Sequence, residues 1–261
     1  MCLALIAIEQ HPVYSVIILS NRDEFYKRAT SSAHYWPENP NLFAGQDLVS
    51  GGSWLGVNKS GSYALVTNYR NPITYNPLMQ SRGLLVSNYL SEPESISPDA
   101  YIKNIAPTSK DFNPFNLIVG NNTNSIYYSN VEKKARKLTH GLYGLSNHLL
   151  DTPWYKILKA KELFNEKMDK LQKLRDPEQI SELLFPVLIN KTQSPDHLLP
   201  RTGVSLDLEK SLSSIFVNIP EHEYGTRSTT LILMEKNNIF FAEKSFVNAQ
   251  VASFNTTHIS L

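Results

Sequence analysis

Cys2 is the only cysteine among the 261 residues, and it directly follows Met1. Removal of Met1 would give this residue an α-amino group of its own. The pKa of such an amine, ~7.7–8.0, leaves a useful neutral fraction near pH 7. One residue then supplies both nucleophile and base, as in hydrolases that begin with Thr or Ser. The alternative role for Cys2 is a small apolar residue opening a buried strand. The tetrad Asn21, Arg22, Asp23, Glu24 comes after two apolar runs, 2–8 and 13–20, joined by Glu9, Gln10, His11 and Pro12. A hairpin there returns position 21 onward to the side of position 2 and brings a cation and two carboxylates towards the thiol. Arg22 is then placed to hold the sulfur as thiolate, and Asp23 to orient the α-amine. Against that stands a solvated strand end with local ion pairs.

Asn68 and Asn147 each close an apolar run. An amide there is a turn former by default and an oxyanion donor where a site is built around it. Gly51 and Gly52 predict a tight turn or bulge ahead of Trp54. Trp36 and Trp54 suit core packing or the lining of an apolar pocket. The seven histidines, at 11, 34, 140, 148, 197, 222 and 258, form no HxxxH or HExxH pattern, so no metal site is expected. A single histidine suffices to ligate a haem iron, and His34, His148 and His222 lie in motif-rich segments. Neither GxxxxGK[ST] nor GxGxxG occurs.

Hydrophobic residues at 41% and charged residues at 19% describe a folded chain, long enough for one domain over 1–261. Lys and Arg number 25 against 24 Asp and Glu, for a formal charge of +1, and the only basic run is the short one at 133–137. That balance excludes a nonspecific nucleic-acid binder. No stretch reaches the ~18 apolar residues of a membrane span. Residues 3–8 make a poor signal peptide, because no cation precedes them and Glu9 cuts them short. A lone cysteine fits a reducing compartment, so the cytoplasm is the expected location.

The elements that must position these side chains come in hairpins. Strands are predicted at 2–8 with 13–20, 53–57 with 63–68, 115–119 with 125–129, 142–146, and 229–234 with 239–246. A loop with His34, Tyr35, Trp36 and Pro37 is expected after the polar segment 21–28. Helices are predicted at 83–90, at 98–106 behind Ser97 and Pro98, at 154–174 with Ile157, Leu158, Leu163 and Phe164 on its apolar face, and from Pro177 to a stop or kink at Pro186. Adjacent strands and paired helices argue for antiparallel sheets packed face to face, with the helices outside.

The segments Met1–Cys2, the tetrad 21–24, Gly51-Gly52-Ser53-Trp54-Leu55-Gly56, Thr67-Asn68-Tyr69-Arg70, Tyr143-Gly144-Leu145-Ser146-Asn147 and Tyr224-Gly225-Thr226-Arg227-Ser228 occur in this order along nearly the whole chain. In them the sequence resembles the NRDE family, whose eukaryotic members are called Transport and Golgi organization protein 2. That family is similar to the N-terminal nucleophile (Ntn) hydrolases of the penicillin V acylase and bile salt hydrolase group. The resemblance implies an α+β fold, a four-layer αββα sandwich of two antiparallel sheets. It implies a catalytic set of Cys2, Arg22, Asp23, Asn68, Asn147 and Arg227, and a ligand-binding set of Asn21, Arg22, Asp23, Glu24, Trp54 and Arg227. It also implies a carrier or chaperone for a small amphipathic ligand: haem, acyl-CoA or an N-acyl compound. No cofactor is required, haem being eligible as ligand. The alternative is a hydrolase using Cys2 to cleave an amide or thioester. In one respect the sequence departs from the hydrolases: Arg22 and Asp23 are adjacent here and separated there. On an extended strand, adjacent side chains point to opposite faces unless a bulge intervenes.

Overall fold

The computed structural model describes residues 2–93 and 96–261, residue 2 through its backbone alone. Strands β1 (Cys2–Ile8) and β2 (Val16–Phe25) form the opening hairpin, in register from Ile8 opposite Val16 to Cys2 opposite Arg22. Their near-continuous apolar sequence has a simple cause: the sheet is buried on both faces. Ala4, Ile6, Val16 and Ile18 enter one core, while Leu3, Leu5, Ile17 and Leu19 enter another.

The chain continues through β3 (Thr30–Trp36), β4 (Asn39–Asp47), β5 (Leu55–Asn58), β6 (Tyr63–Asn68), α1 (Gly83–Ser91), α2 (Pro98–Ile105), β7 (Phe115–Gly120), β8 (Ser125–Ser129), β9 (Lys134–Leu138) and β10 (Gly141–Leu145). It ends with α3 (Tyr155–Asn165), α4 (Met168–Leu171), α5 (Pro177–Leu188), α6 (Leu206–Ser211), β11 (Asn218–Ile219), β12 (Tyr224–Met234), β13 (Asn238–Val247) and β14 (Gln250–Ser260). One sheet runs β10-β1-β2-β12-β13-β14, with β11 on β12; the other runs β3-β4-β5-β6-β7-β8-β9. Every strand pairing in both is antiparallel. Between the sheets lies a core that includes Ile6, Ile18, Leu55, Leu65, Ile118 and Phe241. Helices α3, α4 and α5 cover the outer face of the first sheet through Ile157, Phe164, Leu171, Leu184 and Phe185. Helices α1 and α2 cover the second through Leu85, Val86, Tyr89, Tyr101 and Ile102. The result is a four-layer αββα sandwich.

Several elements differ from the sequence expectation. His34, Tyr35 and Trp36 lie in strand β3, not in a loop, and β4, β9, β11 and β14 are additional strands. The helix expected over 154–174 is two helices, because α3 stops at Asn165 and the chain turns before α4. On α3 the buried face is Ile157, Ala160 and Phe164, while Leu158 faces solvent and Lys156 is buried. Pro186 neither ends nor precedes the end of α5 by a full turn; the helix, capped by the Asp176 side chain on Gln179 N at 2.8 Å, reaches Leu188.

The Gly51–Gly52 segment is the tight turn the sequence suggests, with Gly51 at φ 77°. Gly52 is needed for a different reason, close approach. A Cβ on it would lie 2.3 Å from Gly83 C and 2.6 Å from Leu84 N, both backbone atoms at the start of α1. Gly52→Ala is therefore expected to lower stability by ~1–3 kcal/mol, the range for forced overpacking. A thermal melt indistinguishable from the parent's would show that the loop has slack.

Candidate functional site

The beginnings of β1 and β12 and the ends of β2, β6 and β10 meet at one end of the sandwich. There Cys2 is registered opposite Arg22, and Ala4 opposite Leu145, two residues before Asn147. The tetrad 21–24 is part of β2 itself, not a strand end, and β2 passes through it without a bulge against β1. Its side chains therefore alternate: Arg22 and Glu24 turn inward between the sheets, Asn21 and Asp23 outward towards the helices.

On the inner side Arg22 is 5% exposed. Its guanidinium lies 4.3 Å from the centre of the Trp54 ring, a cation–π distance. Nη1 donates to Thr30 Oγ1 at 3.2 Å, and Nη2 is 3.5 Å from Asp47 Oδ2 and 3.8 Å from Glu24 Oε2. Arg28 shares the same acids, its Nε donating to Asp47 Oδ2 at 2.7 Å and its Nη2 to Ser50 Oγ at 2.8 Å. Arg227 is the extra residue of a bulge on β12, where Thr226 opposes Asp23 and Ser228 opposes Arg22. Its Nη1 donates to the carbonyls of Phe25, Tyr26 and Arg28 at 3.0, 2.8 and 3.3 Å, closing the turn between β2 and β3. Burial, then the charge of Arg22, lower its pKa. Nearby, the Glu243 carboxylate accepts from Ala33 N at 2.8 Å and Thr230 Oγ1 at 3.3 Å. Burial raises its pKa against those bonds and the charge of Arg22.

On the outer side Asp23 is buried, with Oδ1 accepting from Thr226 Oγ1 at 2.7 Å and the backbone carbonyl from Tyr224 Oη at 3.0 Å. Desolvation raises its pKa, and the charge of Lys156, only 2% exposed on α3, is the largest opposing influence. Arg70 crosses from the end of β6 to α6, where Nη1 donates to the buried Glu209 Oε2 at 2.6 Å. Glu209 Oε1 accepts from Thr202 N and Oγ1 at 2.8 and 2.6 Å. Burial lowers the Arg70 pKa, opposed by Glu209 first and by Tyr224 and Asp23 after it. Asn21 commits both amide hydrogens to the carbonyls of Leu188, at the end of α5, and Ile215, at 2.8 and 2.9 Å. Its geometry is that of a cross-tie capping a helix end. Asn147, fully buried, donates Nδ2 to Asn68 O at 3.0 Å, and its backbone carbonyl accepts from Arg70 N at 2.8 Å. It thus stitches the end of β10 to the end of β6.

The site residues inferred from sequence thus fall into three groups. Arg22, Glu24, Trp54 and Arg227 gather between the sheets, Asn21 and Asp23 lie behind β2, and Asn68 and Asn147 occupy the seam between the sheets. Met1 and the Cys2 side chain lie outside the described residues, and with them the expectation of a free N-terminal amine beside the thiol. Trp36 is a core residue of the outer layer, its Nε1 donating to Ala44 O at 3.1 Å. His34 Nδ1 lies 2.8 Å from Ser32 O, and His148 lies between Tyr69 Oη and Thr152 Oγ1 at 2.9 and 2.8 Å. His222 lies in the turn ahead of β12. Lys156, Arg28, Asp47, Arg70 and Glu209 also belong to the site, and the local sequence pattern does not mark them as site residues. Arg70 ends the motif 67–70, and Lys156 stands directly before Ile157 on a helix, a cation at the margin of an apolar stripe.

Two antiparallel sheets between helical layers, with a cysteine at the start of a central strand, define an Ntn-hydrolase-like fold. The structure is similar to that of the C2A mutant of conjugated bile acid hydrolase from Clostridium perfringens, with a TM-score of 0.54 at 10% identity, covering 98% of this chain and 92% of that one. A second variant of the same enzyme gives a TM-score of 0.51 over the same shares. Residues 1–248 match the family Transport and Golgi organisation 2. Relatives include the human Transport and Golgi organization protein 2 homolog, 33% identical over 274 residues, 98% of this chain and 97% of that protein. The Drosophila melanogaster Transport and Golgi organization protein 2 is 29% identical over 279 residues, 99% of this chain and 97% of that protein. The chain belongs to the Transport and Golgi organisation 2 family. Among the described residues no helix is long and apolar enough to cross a membrane.

Proposed function

We propose that this chain is a carrier that binds an anionic amphipathic molecule, of the haem or acyl-CoA class, at the sandwich end around Cys2 and the tetrad 21–24. The observation that carries the reading is the inner arginine cluster. Arg22, Arg28 and Arg227 face Glu24 and Asp47, so guanidinium groups outnumber these carboxylates, and burial biases Glu243 towards its uncharged form. A carboxylate or phosphate of the ligand balances the remaining charge. Exposed Phe25, Leu48, Val49 and Tyr75 belong to β2 and the loops beside Arg28 and offer contact to an apolar body. The split of Arg22 from Asp23 favours binding over turnover, since a group approached from one face of β2 meets one of them and not the other. A free thiol at residue 2 persists in a reducing compartment, so the setting we propose is the cytoplasm.

A specific observation favours a second reading. Cys2 stands opposite Arg22, Asn147 follows two residues past the Ala4–Leu145 pair, and the Clostridium perfringens neighbour, a hydrolase by name, also had its substituted cysteine at position 2. In that reaction the Cys2 thiolate would add to an amide or thioester carbonyl. The amine or thiol would depart with a proton, and water would release the acid from the acyl-cysteine.

Equilibrium binding and product release, measured with haem, long-chain acyl-CoA and N-acyl amino acids, separate the two. The carrier predicts that Cys2→Ala binds as the parent does. It predicts that Arg22→Ala weakens binding by roughly 10- to 100-fold, the equivalent of losing a charged contact of ~1.5–3 kcal/mol. Multiple turnovers by the parent, abolished in Cys2→Ala, would replace the carrier with the hydrolase. Unchanged affinity in Arg22→Ala would remove the arginine cluster from either.

A further inference from the structure

The four lateral edges of the two sheets are not treated alike. An edge strand displays unpaired backbone N–H and C=O groups, and proteins normally block it with charge, bulges, proline or a covering segment. The edge at β9 carries Lys134, Arg136 and Lys137, all exposed. At β10 the chain folds back, Asp151 N donating to Gly144 O at 2.8 Å and Asp151 Oδ1 accepting from Gly144 N at 2.8 Å. At β3 the register against β4 breaks twice, and the irregular segment is tied to the other sheet by Ala33 N on Glu243 and by the Ser32 and Ser245 hydroxyls at 3.1 Å.

Beyond a bulge at Ala252 beside its hairpin turn, the edge at β14 has none of these protections from Ser253 to Ser260 among the described residues. Its 11 residues, QVASFNTTHIS, contain no Asp, Glu, Lys, Arg, Pro or Gly. It pairs with β13 over nearly its whole length, the one irregularity being that bulge at Ala252 of β14, close to the hairpin turn. Val251 and Phe254 are exposed on it at 61% and 48%, Phe254 meeting Phe185 of α5 at 5.8 Å between ring centres and Lys244 Nζ of β13 at 5.1 Å from its own ring centre.

We propose that β14 pairs with β14 of a second copy of this chain, antiparallel about a two-fold axis at Asn255, the midpoint of the strand. Two features of the edge select a second copy. An uncharged strand meets no like charge when it is laid against itself, which is the usual obstacle to self-pairing. And the pairing closes: once the two β14 edges are joined, the joint sheet ends on both sides at β10, which Asp151 already blocks, so the product is a dimer and not a filament. About that axis Phe254 of each copy lies opposite Thr256 of the other, adding a contact to a ring that is 48% exposed in the single chain. The proposal is independent of the ligand reading.

Sedimentation equilibrium of the full chain over a wide concentration range tests it. The parent is expected to approach twice the chain mass. A variant carrying Asn255→Lys and Thr256→Lys, both at exposed positions, is expected to stay at the single mass with the parent's melting temperature and circular dichroism. Hydrogen exchange supplies a second reading: β14 amides should be protected in concentrated parent and lose that protection on dilution, while the lysine variant shows no such dependence. A parent that remains monomeric at every concentration overturns the proposal and leaves the edge to a strand from another protein. A dimer that survives both lysines, with β14 exchange unaffected by dilution, overturns it by placing the interface elsewhere.

Discussion

Glu209→Ala is expected to destabilise the protein by ~3–5 kcal/mol, the usual cost of removing one partner of a buried ion pair. Glu209 is almost wholly buried, and its carboxylate is filled: Arg70 Nη1 on one oxygen, Thr202 N and Oγ1 on the other. Truncating it leaves a guanidinium in a buried setting, between α6 and the Trp154 ring 5.2 Å away, with its main counter-charge gone. For a chain of this size that corresponds to a fall in melting temperature on the order of 10 °C. The double replacement Arg70→Met with Glu209→Leu separates charge from shape. Taking both charges away at similar volume should recover most of the loss. A Glu209→Ala melt within ~2 °C of the parent's would mean that water reaches Arg70 readily.

Lys156→Met is expected to act through Asp23, and so to depend on pH. Burial holds the Asp23 carboxyl above its ordinary value, and Lys156 is the strongest influence against that rise. The native state therefore keeps this proton to higher pH than the unfolded chain does. The contribution of Asp23 to stability is complete below the unfolded value of ~3.9 and is lost as pH climbs through the native one. Without Lys156 the native value rises further and more is lost. The variant should stand level with the parent, or above it, near pH 4, where it no longer buries an ammonium beside a neutral acid. It should fall behind by up to ~3–5 kcal/mol near pH 8. Melting temperatures across that range decide the matter, with Asp23→Asn as the background in which the gap must stop changing with pH. Parallel curves in the presence of Asp23 would detach Lys156 from it.

What could be read from the sequence follows from how each segment is buried. The strands β1, β2, β6, β7, β8, β12 and β13 all pack at least one apolar face into a core, and their apolar runs reveal them. Strand β9 is four exposed residues before Leu138, β14 is exposed along nearly all its length, and β4 contains Pro40 and Gly45. Their strand state comes from ladder partners distant in sequence, which a local pattern cannot show. The helix expected over 154–174 fails for a related reason. Its period is read equally well with Leu158 inward, and only the placement of Asp23 explains why Lys156 takes the inner position instead. Within the site, the convergence of residues 2 and 22 follows from the opening hairpin alone. The burial of three consecutive polar residues, Asn21, Arg22 and Asp23, does not. It depends on Thr226, on the carbonyls of Leu188 and Ile215, and on Lys156, at separations of more than a hundred residues.

The alternation along β2 also bears on how the family varies. Four adjacent letters, read as one motif, serve two compartments divided by the strand that carries them. Residues 22 and 24 answer to Trp54, Asp47 and Arg28 on one side; residues 21 and 23 answer to α5, Thr226 and Lys156 on the other. Inheritance should respect that wall. Across related chains, an exchange at position 23 is expected to be accompanied by changes at 156 or 226 and to leave 22 and 24 alone, while an exchange at 22 travels with 47 or 54. Neighbours in the text of the sequence would then be strangers in its covariation, and residues two apart its true partners.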